Sequence, residues 1–223
     1  MTKKKTNFTE NYIPIKNSLK IYYGKVKWRK KMDILDELIF TVLTQNTSDI
    51  NAEKSFGNLK LAYKSWEEII TSPNLKLEKT IRSGGLAKQK SERIKKILSE
   101  IYTRLEKFDL SILKTMSYDE VKNWLISLPG VGPKTTAVVM SFALQLPAFP
   151  VDTHIHRISK RLGFIKNKTS AEKAHIIMEK LVPPRDKFYF HILLITHGRK
   201  ICKAINPKCS SCPISLYCPS ANL

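Results

Sequence analysis

The chain has 223 residues, of which 42% are hydrophobic and 26% charged, a balance that is typical of a folded globular protein. No apolar run reaches the roughly 20 residues that a membrane-spanning helix needs, and no hydrophobic region follows the basic start MTKKKTNFTE. These features argue against a membrane protein and against a secretory signal, so we expect an intracellular protein.

The formal net charge is +20, and the positive excess is concentrated near the N-terminus. Within the first 31 positions, ten lysines and arginines are accompanied by one acidic residue, Glu10. A field of this kind attracts polyanions, and counterion release rewards each contact with a phosphate. Nucleic acid is therefore the leading candidate partner, with a merely solvated lysine-rich surface as the alternative.

Helix patterns follow one another along the chain. Two runs place apolar residues on one helix face: Leu35, Leu38, Ile39, Val42 and Leu43, and then Ile94, Ile97, Leu98, Ile101 and Leu105. Three pairs have the spacing of a helix-starting capping box: Ser65 with Glu68, Ser117 with Glu120, and Thr169 with Glu172. Helices are expected to end at four points: Gly84-Gly85, Pro129-Gly130, Pro147 to Pro150, and Pro183-Pro184. The sequence predicts an all-α fold of about ten short helices with little or no sheet.

The stretch LPGVGPKTTAVVMSFAL, from Leu128 to Leu144, predicts a tight turn that leads into a new helix. Gly130 and Gly132 permit unusual backbone angles and let the main chain approach a ligand closely. Pro133 suits the first helical position, where its missing N–H would have no partner. Free N–H groups at the turn suit a phosphate, so we expect a helix-hairpin-helix that contacts a nucleic-acid backbone through Gly130, Val131 and Gly132. A glycine-containing connector between packed helices is the alternative.

Two polar residues beyond the turn are candidates for chemistry. Lys134 lies in the first turn of the new helix, where the helix dipole and neighbouring basic residues favour the neutral, nucleophilic amine; a simple phosphate contact is the alternative. Eighteen residues later, Asp152 is predicted to cap a further helix. Near a reactive lysine, the same carboxylate would stabilise positive charge on a sugar and relay protons. His154 and His156 are interpreted as packing or hydrogen-bonding residues.

All the cysteines lie within the stretch CKAINPKCSSCPISLYC, and they are Cys202, Cys209, Cys212 and Cys218. Clustered cysteines in a reducing compartment rarely form disulfides, so metal binding is the better interpretation. A tetrahedral zinc ion and an iron–sulfur cluster both accept four thiolates, and the spacing chemistry alone does not choose between them.

The motifs LPGVGPKT and VDTHIHR, followed by Cys-x6-Cys-x2-Cys-x5-Cys, resemble endonuclease III, a base-excision DNA glycosylase family, over residues 36–218 approximately. The resemblance implies a two-lobed helix-hairpin-helix glycosylase fold with a C-terminal loop in which the four cysteines hold a [4Fe-4S] cluster. It implies that Lys134 is the nucleophile and that Asp152 is its acidic partner. It also implies that Gln45 fills the hole left by a flipped base and that Leu86 is an apolar wedge on the other strand. A helix-capping role for Gln45 and a core position for Leu86 are the alternatives.

The activity implied by the resemblance is that of a bifunctional DNA glycosylase and AP lyase. Such an enzyme excises oxidised pyrimidines through a lysine Schiff base and cleaves 3′ of the abasic site by β-elimination. A monofunctional glycosylase for mismatched uracil or thymine, and a non-catalytic DNA-binding module with a structural metal site, are the alternatives. The presence of Lys134 favours the lyase, because the mismatch branches of the superfamily differ at that position.

The two-lobed fold predicts a central helical domain over residues 34–146 and a discontinuous domain of residues 1–33 and 147–223 that carries the cysteine loop. The active cleft is expected between them, because Lys134 and Asp152 fall on opposite sides of the boundary. We expect a monomer that binds double-stranded DNA containing damaged bases or abasic sites, has no membrane partner, and is cytoplasmic or associated with the nucleoid.

Overall fold

The structure is a computed structural model that describes residues 8–25 and 31–221. Residues 1–7 and 26–30 of the basic N-terminal run lie outside the described residues. The α-helices of the described chain are α1 Phe8–Tyr23, α2 Ile34–Leu43, α3 Asp49–Ala62, α4 Trp66–Thr71, α5 Asn74–Thr80, α6 Ala87–Leu105, α7 Tyr118–Ile126, α8 Pro133–Val138, α9 Thr153–Arg161, α10 Ala171–Leu181 and α11 Lys187–Lys200. The described residues contain no β-strand, so the prediction of an all-α fold is confirmed.

The chain divides into two compact units. We call Lys31–Leu146 the hairpin unit, and Met1–Lys30 together with Pro147–Leu223 the cysteine-loop unit. Lys134 belongs to the first and Asp152 to the second. No helix of the described residues combines the length and apolar character needed to cross a membrane.

The hairpin unit is built around α2. Nine of the ten α2 residues are buried, and the helix packs against α3, α6, α8 and the turn after α8. A helix that is apolar on nearly every side is stable only inside a core. The predicted apolar face of α2 is therefore confirmed, and burial extends to Phe40 and Glu37 on its other faces. Asp33 caps the helix, since its Oδ1 accepts a hydrogen bond from the Leu35 N–H at 3.1 Å.

The second predicted apolar stripe lies on α6. Ile94, Ile97, Leu98 and Ile101 are fully buried, whereas Leu105 at the end of the helix is half-buried. The stop at Gly84-Gly85 is also confirmed, because Gly85 adopts φ +68° just before α6 begins. The segment from Gly84 to α6 therefore forms a sharp turn at the edge of the core.

The capping predictions have mixed outcomes. Ser117 and Glu120 form the full capping box at the start of α7, and the Ser65 hydroxyl accepts from the Glu68 N–H at α4. The prediction for α10 is wrong by one residue, since Ser170 is the cap. Thr169 is engaged in the preceding turn instead, where its N–H donates to the Lys166 carbonyl at 2.9 Å.

The core of the cysteine-loop unit is formed by α1, α9, α10 and α11 around the fully buried rings Phe149 and Phe190. Helix α11 packs against both α9 and α1. A polar contact holds α1 in place as well: the Tyr12 hydroxyl and the Lys16 ammonium donate to Asp186 Oδ2 at 2.7 and 2.9 Å. The residues from opposite ends of the chain thus share one core, on which the cysteine loop and Asp152 are mounted.

Candidate functional site

The hairpin lies between α7 and α8. Leu128 and Val131 are buried and connected by a backbone hydrogen bond of 3.1 Å, which closes the turn. Gly130 adopts φ +73°, a conformation that favours glycine. Gly132, by contrast, has an ordinary extended backbone (φ −98°, ψ 179°). The expectation that both glycines have unusual angles is therefore wrong for Gly132.

Gly132 is also sterically free within the protein. A Cβ added at Gly132 would meet no heavy atom within 4 Å, whereas one added at Gly130 would lie 2.7 Å from Arg93 Nε. The fold therefore explains the glycine at position 130 but gives no internal reason for the one at position 132.

Pro133 is the first residue of α8, as predicted, and Lys134 is the second. The Lys134 side chain is exposed, and the next two residues, Thr135 and Thr136, are buried. Beyond Val138 the helix continues as one π-helical turn, Val139–Ala143, whose residues are all buried. The lysine is thus presented on the surface by a short helix that is anchored in the core of the hairpin unit.

Asp152 is the N-cap of α9, as predicted. Its Oδ1 accepts a hydrogen bond from the Ile155 N–H at 2.7 Å, and its backbone is extended (φ −91°, ψ −175°). The side chain is half-buried. The cap engages one carboxylate oxygen and fixes the orientation of the group, which leaves Oδ2 available for another partner.

The helix that carries Asp152 is fastened to the cysteine loop. Arg157 on α9 donates to the carbonyl oxygen of Cys202 at 2.8 and 3.0 Å and to that of Gly198 at 3.1 Å. His154 contacts Arg157 at 3.1 Å, and His156 contacts the Thr169 carbonyl at 2.9 Å. The interpretation of both histidines as hydrogen-bonding residues is confirmed.

The four cysteines form no disulfide, and each is half-buried. They line a single opening of about 420 Å³, together with apolar residues that include Ile158, Leu162, Ile201 and Ile214. Burial, followed by the proximity of the other cysteines, raises the pKa of the Cys212 thiol to about 11. Burial likewise raises the pKa of Cys218.

The backbone N–H groups of Ile214 and Ser220 hydrogen-bond to Cys212 and Cys218, and two side-chain nitrogen groups also lie against sulfurs of this loop. Arg161 Nη1 donates to Cys202 Sγ at 3.2 Å and to the Lys203 carbonyl at 2.6 Å. His197 Nε2 lies 3.5 Å from Cys212 Sγ. The structure therefore assembles the four thiols that the sequence singled out and adds polar contacts that the sequence did not indicate.

Gln45 and Leu86 both lie in the hairpin unit. Gln45 follows α2 and is half-buried, and its Oε1 accepts a hydrogen bond from Arg93 Nη1. Leu86 is 47% exposed and adopts φ +48°, ψ 37°, so the alternative of a core position is wrong. A branched residue held in the left-handed region is strained, and such strain is often found at functional sites.

Besides Arg93, a second residue of α6 that the sequence did not single out, Lys90, organises these turns. Lys90 is buried, and its ammonium donates to the carbonyl oxygens of Leu43 and Gly84, each at 2.8 Å. Burial and then the nearby Arg93 lower the pKa of Lys90. Lys90 therefore connects the segment before Gln45 to the segment before Leu86. The sequence did carry a signal for this buried lysine, because Lys90 stands four residues before Ile94 and thus on the apolar stripe of α6.

Comparison with known proteins identifies the class to which this arrangement belongs. The family model for HhH-GPD superfamily base excision DNA repair proteins matches residues 39–184. The chain therefore belongs to the HhH-GPD superfamily.

Individual relatives point to one branch of that superfamily. The chain is 35% identical to endonuclease III of Thermotoga maritima, over 85% of this chain and 84% of the relative. It is 34% identical to endonuclease III of Bacillus subtilis, over 82% of this chain and 80% of the relative. An Arabidopsis thaliana relative is 34% identical over 85% of this chain, which spans 62% of that protein's length.

Solved structures of DNA glycosylases have a fold similar to that of this chain. The structure of a trapped endonuclease III–DNA covalent intermediate superimposes with a TM-score of 0.82 at 28% identity, over 99% of this chain and 97% of that one. A thermostable thymine-DNA glycosylase superimposes with a TM-score of 0.80 at 25% identity, over 96% of this chain and 99% of that one. The helix-hairpin-helix glycosylase fold expected from the sequence is confirmed.

Proposed function

We propose that this protein is a bifunctional DNA glycosylase and AP lyase that excises oxidised pyrimidines from damaged duplex DNA. The observation that carries the proposal is the exposed Lys134, placed on α8 directly after the hairpin. An endonuclease III structure with a similar fold is a trapped covalent intermediate with DNA, and covalent catalysis of this kind requires a nucleophile such as a lysine amine.

In the proposed reaction the damaged base is flipped out of the duplex. The Lys134 amine attacks C1′ of the deoxyribose, and the bond from C1′ to the base breaks as the base takes up the electron pair and a proton. Asp152 Oδ2 stabilises the cationic sugar and accepts the proton that the lysine loses. The C1′–O4′ bond then breaks, and O4′ takes up a proton as the ring opens to the Schiff base. The Schiff base acidifies the C2′–H, and loss of that proton forms the C2′–C3′ double bond while the C3′–O bond breaks, which expels the 3′ phosphate and cuts the strand.

Gly130, Val131 and Gly132 contact the DNA backbone in this proposal. The extended backbone of Gly132 and the empty space beside its Cα support a close approach by a phosphate. The N–H groups of Lys134 and Thr135 precede the first hydrogen bond of α8, which the Thr136 N–H donates to the Gly132 carbonyl at 3.0 Å, and unpaired N–H groups at a helix start suit a phosphate. Gln45 and Leu86 fill the gap and separate the strands after flipping, which lowers the cost of unstacking. The exposed, strained Leu86 supports the wedge role.

Cys202, Cys209, Cys212 and Cys218 are proposed to hold a [4Fe-4S] cluster. All four cysteines line the same opening, so the fold gathers the four thiolate ligands that such a cluster takes. A tetrahedral zinc ion accepts the same four thiolates, and the iron and sulfide content of the purified protein distinguishes the two. When bound, the cluster supplies four covalent cross-links that fix the loop.

A second candidate function is that of a monofunctional mismatch glycosylase. It is favoured by the thymine-DNA glycosylase structure, whose TM-score of 0.80 is close to the 0.82 of the endonuclease III complex. The two functions differ in whether a lysine becomes bonded to the sugar.

Borohydride reduction in the presence of duplex DNA with an abasic site separates these functions. We expect the wild-type protein to form a covalent adduct that is lost in Lys134→Ala. Lys122→Ala is the matched control, because Lys122 is an exposed lysine on the adjacent α7, and it should still be trapped. Base release without strand cleavage or trapping would establish the monofunctional reading. DNA binding without either reaction would leave only a binding module.

A further inference from the structure

His197 occupies the position where α11 meets the cysteine loop, and only 1% of its surface is exposed. Both ring nitrogens have partners. Nδ1 lies 2.9 Å from the Tyr23 hydroxyl, and Nε2 lies 3.5 Å from the Cys212 sulfur. Neither the proposed catalytic steps nor the proposed DNA contacts use this residue, so its polar contacts call for a different explanation.

The two contacts determine which nitrogen carries the proton when Cys212 is a cluster ligand. A ligating cysteine is a thiolate and has no proton to donate, so the hydrogen bond must run from His197 Nε2–H to the sulfur. In a neutral imidazole the other nitrogen is then an acceptor, and the Tyr23 hydroxyl donates to Nδ1. The hydrogen bonds therefore run in one direction, from Tyr23 through His197 to Cys212.

We propose that His197 donates an N–H···S hydrogen bond to the Cys212 thiolate, that Tyr23 fixes the tautomer that makes it possible, and that the pair raises the reduction potential of the cluster. The inference rests on the [4Fe-4S] cluster of the proposed function. The more reduced cluster carries one additional electron and hence more negative charge on its ligand sulfurs. An N–H dipole aimed at such a sulfur stabilises that state, and hydrogen bonds to the sulfurs are among the determinants of cluster potential.

Neighbouring side chains pack against Tyr23, and His197 itself is enclosed. The Tyr23 ring packs edge-on against Tyr22 at 4.9 Å between centroids, and the Lys200 ammonium lies 5.8 Å from its centroid. Since His197 is enclosed, water does not compete for its Nε2–H, and the bond is correspondingly stronger. Arg161 also reaches a ligand sulfur, but it donates at the same time to the exposed carbonyl oxygens of Lys203 and Ala204. Of the two side-chain donors, His197 is the buried one.

The test is the reduction potential of the purified cluster-containing protein, measured by direct electrochemistry together with iron and sulfide content. Tyr23→Phe keeps the ring and removes only the hydroxyl, so it should shift the potential to a more negative value at unchanged iron content. His197→Phe should give a larger shift in the same direction. Adding Tyr23→Phe to His197→Phe should then have no further effect, because the donor to the sulfur is already missing. Tyr22→Phe, on the exposed neighbouring tyrosine, is the matched control and should leave the potential unchanged.

The outcomes separate this inference from the assignment of the cofactor. Loaded variants at positions 23 and 197 with the wild-type potential would overturn the inference alone. A wild-type protein that contains neither iron nor sulfide would overturn the cluster and the inference together, while the lysine trapping experiment would still report on the lyase. If His197→Phe cannot be obtained in loaded form, Tyr23→Phe decides the question by itself.

Discussion

At the scale of single residues, the two hairpin glycines have different physical origins. Gly130 is required by the fold, because its φ of +73° is unfavourable for other residues and Arg93 packs against its Cα. Gly132 has an ordinary φ and open space around it. This contrast suggests that the residue at position 130 serves folding and the residue at position 132 serves an incoming ligand.

Alanine substitutions at these two positions should therefore affect different properties, namely stability at position 130 and DNA binding at position 132. Gly130→Ala should lower the free energy of unfolding by about 1–2 kcal/mol, the cost of a left-handed non-glycine residue. Gly132→Ala should leave stability nearly unchanged, because a small loss at the N-cap is offset by a stiffer unfolded chain. Gly132→Ala should nevertheless weaken binding to duplex DNA, since its methyl group would stand between the backbone and a phosphate.

Urea unfolding and fluorescence anisotropy with a labelled duplex measure the two effects separately. Wild-type DNA affinity in Gly132→Ala would contradict close approach of the DNA at this turn. An unchanged unfolding midpoint in Gly130→Ala would contradict the requirement for glycine at position 130.

Asp152 combines a structural role with a proposed chemical one, and the two can be separated by a substitution. Asn caps a helix about as well as Asp, so Asp152→Asn should retain the bond to the Ile155 N–H and nearly wild-type stability. It removes the negative charge, and turnover should fall by roughly two to four orders of magnitude, the range typical of general acid–base groups. DNA affinity should stay largely intact.

Single-turnover base release and a binding isotherm provide the measurements for Asp152→Asn. Asp33→Asn is the matched control, because Asp33 caps α2 in the same manner. Equal turnover in Asp152→Asn and wild type would mean that Asp152 is only a cap.

Some residue roles were accessible from the sequence and others were not. Lys134, Asp152 and the cysteines stand in short motifs whose local pattern already indicates a turn, a cap or a ligand set. Arg93 contacts Gln45, 48 positions away in the sequence, and no local pattern reports such a contact. The left-handed backbone of Leu86 is likewise imposed by the tertiary structure around α6.

At the scale of helices, α6 organises the candidate DNA-contacting turns of the hairpin unit. Its first turns present Lys90 to the carbonyl oxygens of Leu43 and Gly84 and Arg93 to Gln45 and Gly130. One rigid helix thus connects three separate turns. The apolar stripe of α6 was predictable because periodic burial leaves a pattern in the sequence. The choice of Ser170 over Thr169 as the α10 cap was not predictable, because the two adjacent hydroxyls offer the same local signal. The turn from Lys166 to Thr169 determines which of them begins the helix.

The helix α1 is attached to the core of its unit through Asp186, which introduces a pH dependence. Partial burial acts to raise the pKa of the Asp186 carboxyl, but hydrogen bonds from Lys16 and Tyr12 outweigh it, and the pKa lies below its ordinary value. A carboxylate with a lowered folded-state pKa contributes stability above its unfolded-state pKa, and that contribution is lost as the pH falls through the folded value.

We therefore expect Asp186→Asn to be less stable than wild type near neutral pH, by about 1–2 kcal/mol for a charged hydrogen bond that is partly exposed. The difference should begin to shrink below about pH 4, the ordinary aspartate value, and should vanish as the pH falls through the lower folded-state value, where the wild-type carboxyl also becomes neutral. Unfolding midpoints between pH 3 and pH 7 provide the measurement. A stability difference that does not depend on pH would show that the charge of Asp186 is not what holds α1.

At the scale of the whole molecule, family membership and the net charge of +20 lead to the same expectation for binding. The fold class followed from helix periodicity and from motif order. The assignment of residues 1–33 to the same domain as residues 147–223 depended on the family resemblance, because nothing in local patterning shows which distant segments share a core. Those bounds stay a prediction, and the contacts that bear on them come from α1, where Tyr12, Ile15 and Leu19 are buried among residues of the C-terminal half.

The positive charge predicts how affinity depends on salt. Each phosphate neutralised by a lysine or arginine releases counterions, so the logarithm of the binding constant should fall linearly with the logarithm of salt concentration. With about six such contacts, affinity for undamaged duplex should drop on the order of a thousandfold between about 50 and 200 mM salt. Duplex DNA with an abasic site should give the same slope with a tighter intercept, because the proposed wedging by Leu86 and insertion of Gln45 would add contacts that carry no charge. Anisotropy titrations with Lys134→Ala, which lacks the proposed nucleophile and is therefore expected to bind without cleaving, allow both slopes to be measured. A flat salt dependence would contradict the electrostatic argument, whereas parallel lines with identical intercepts would show that Gln45 and Leu86 do not recognise the damaged site.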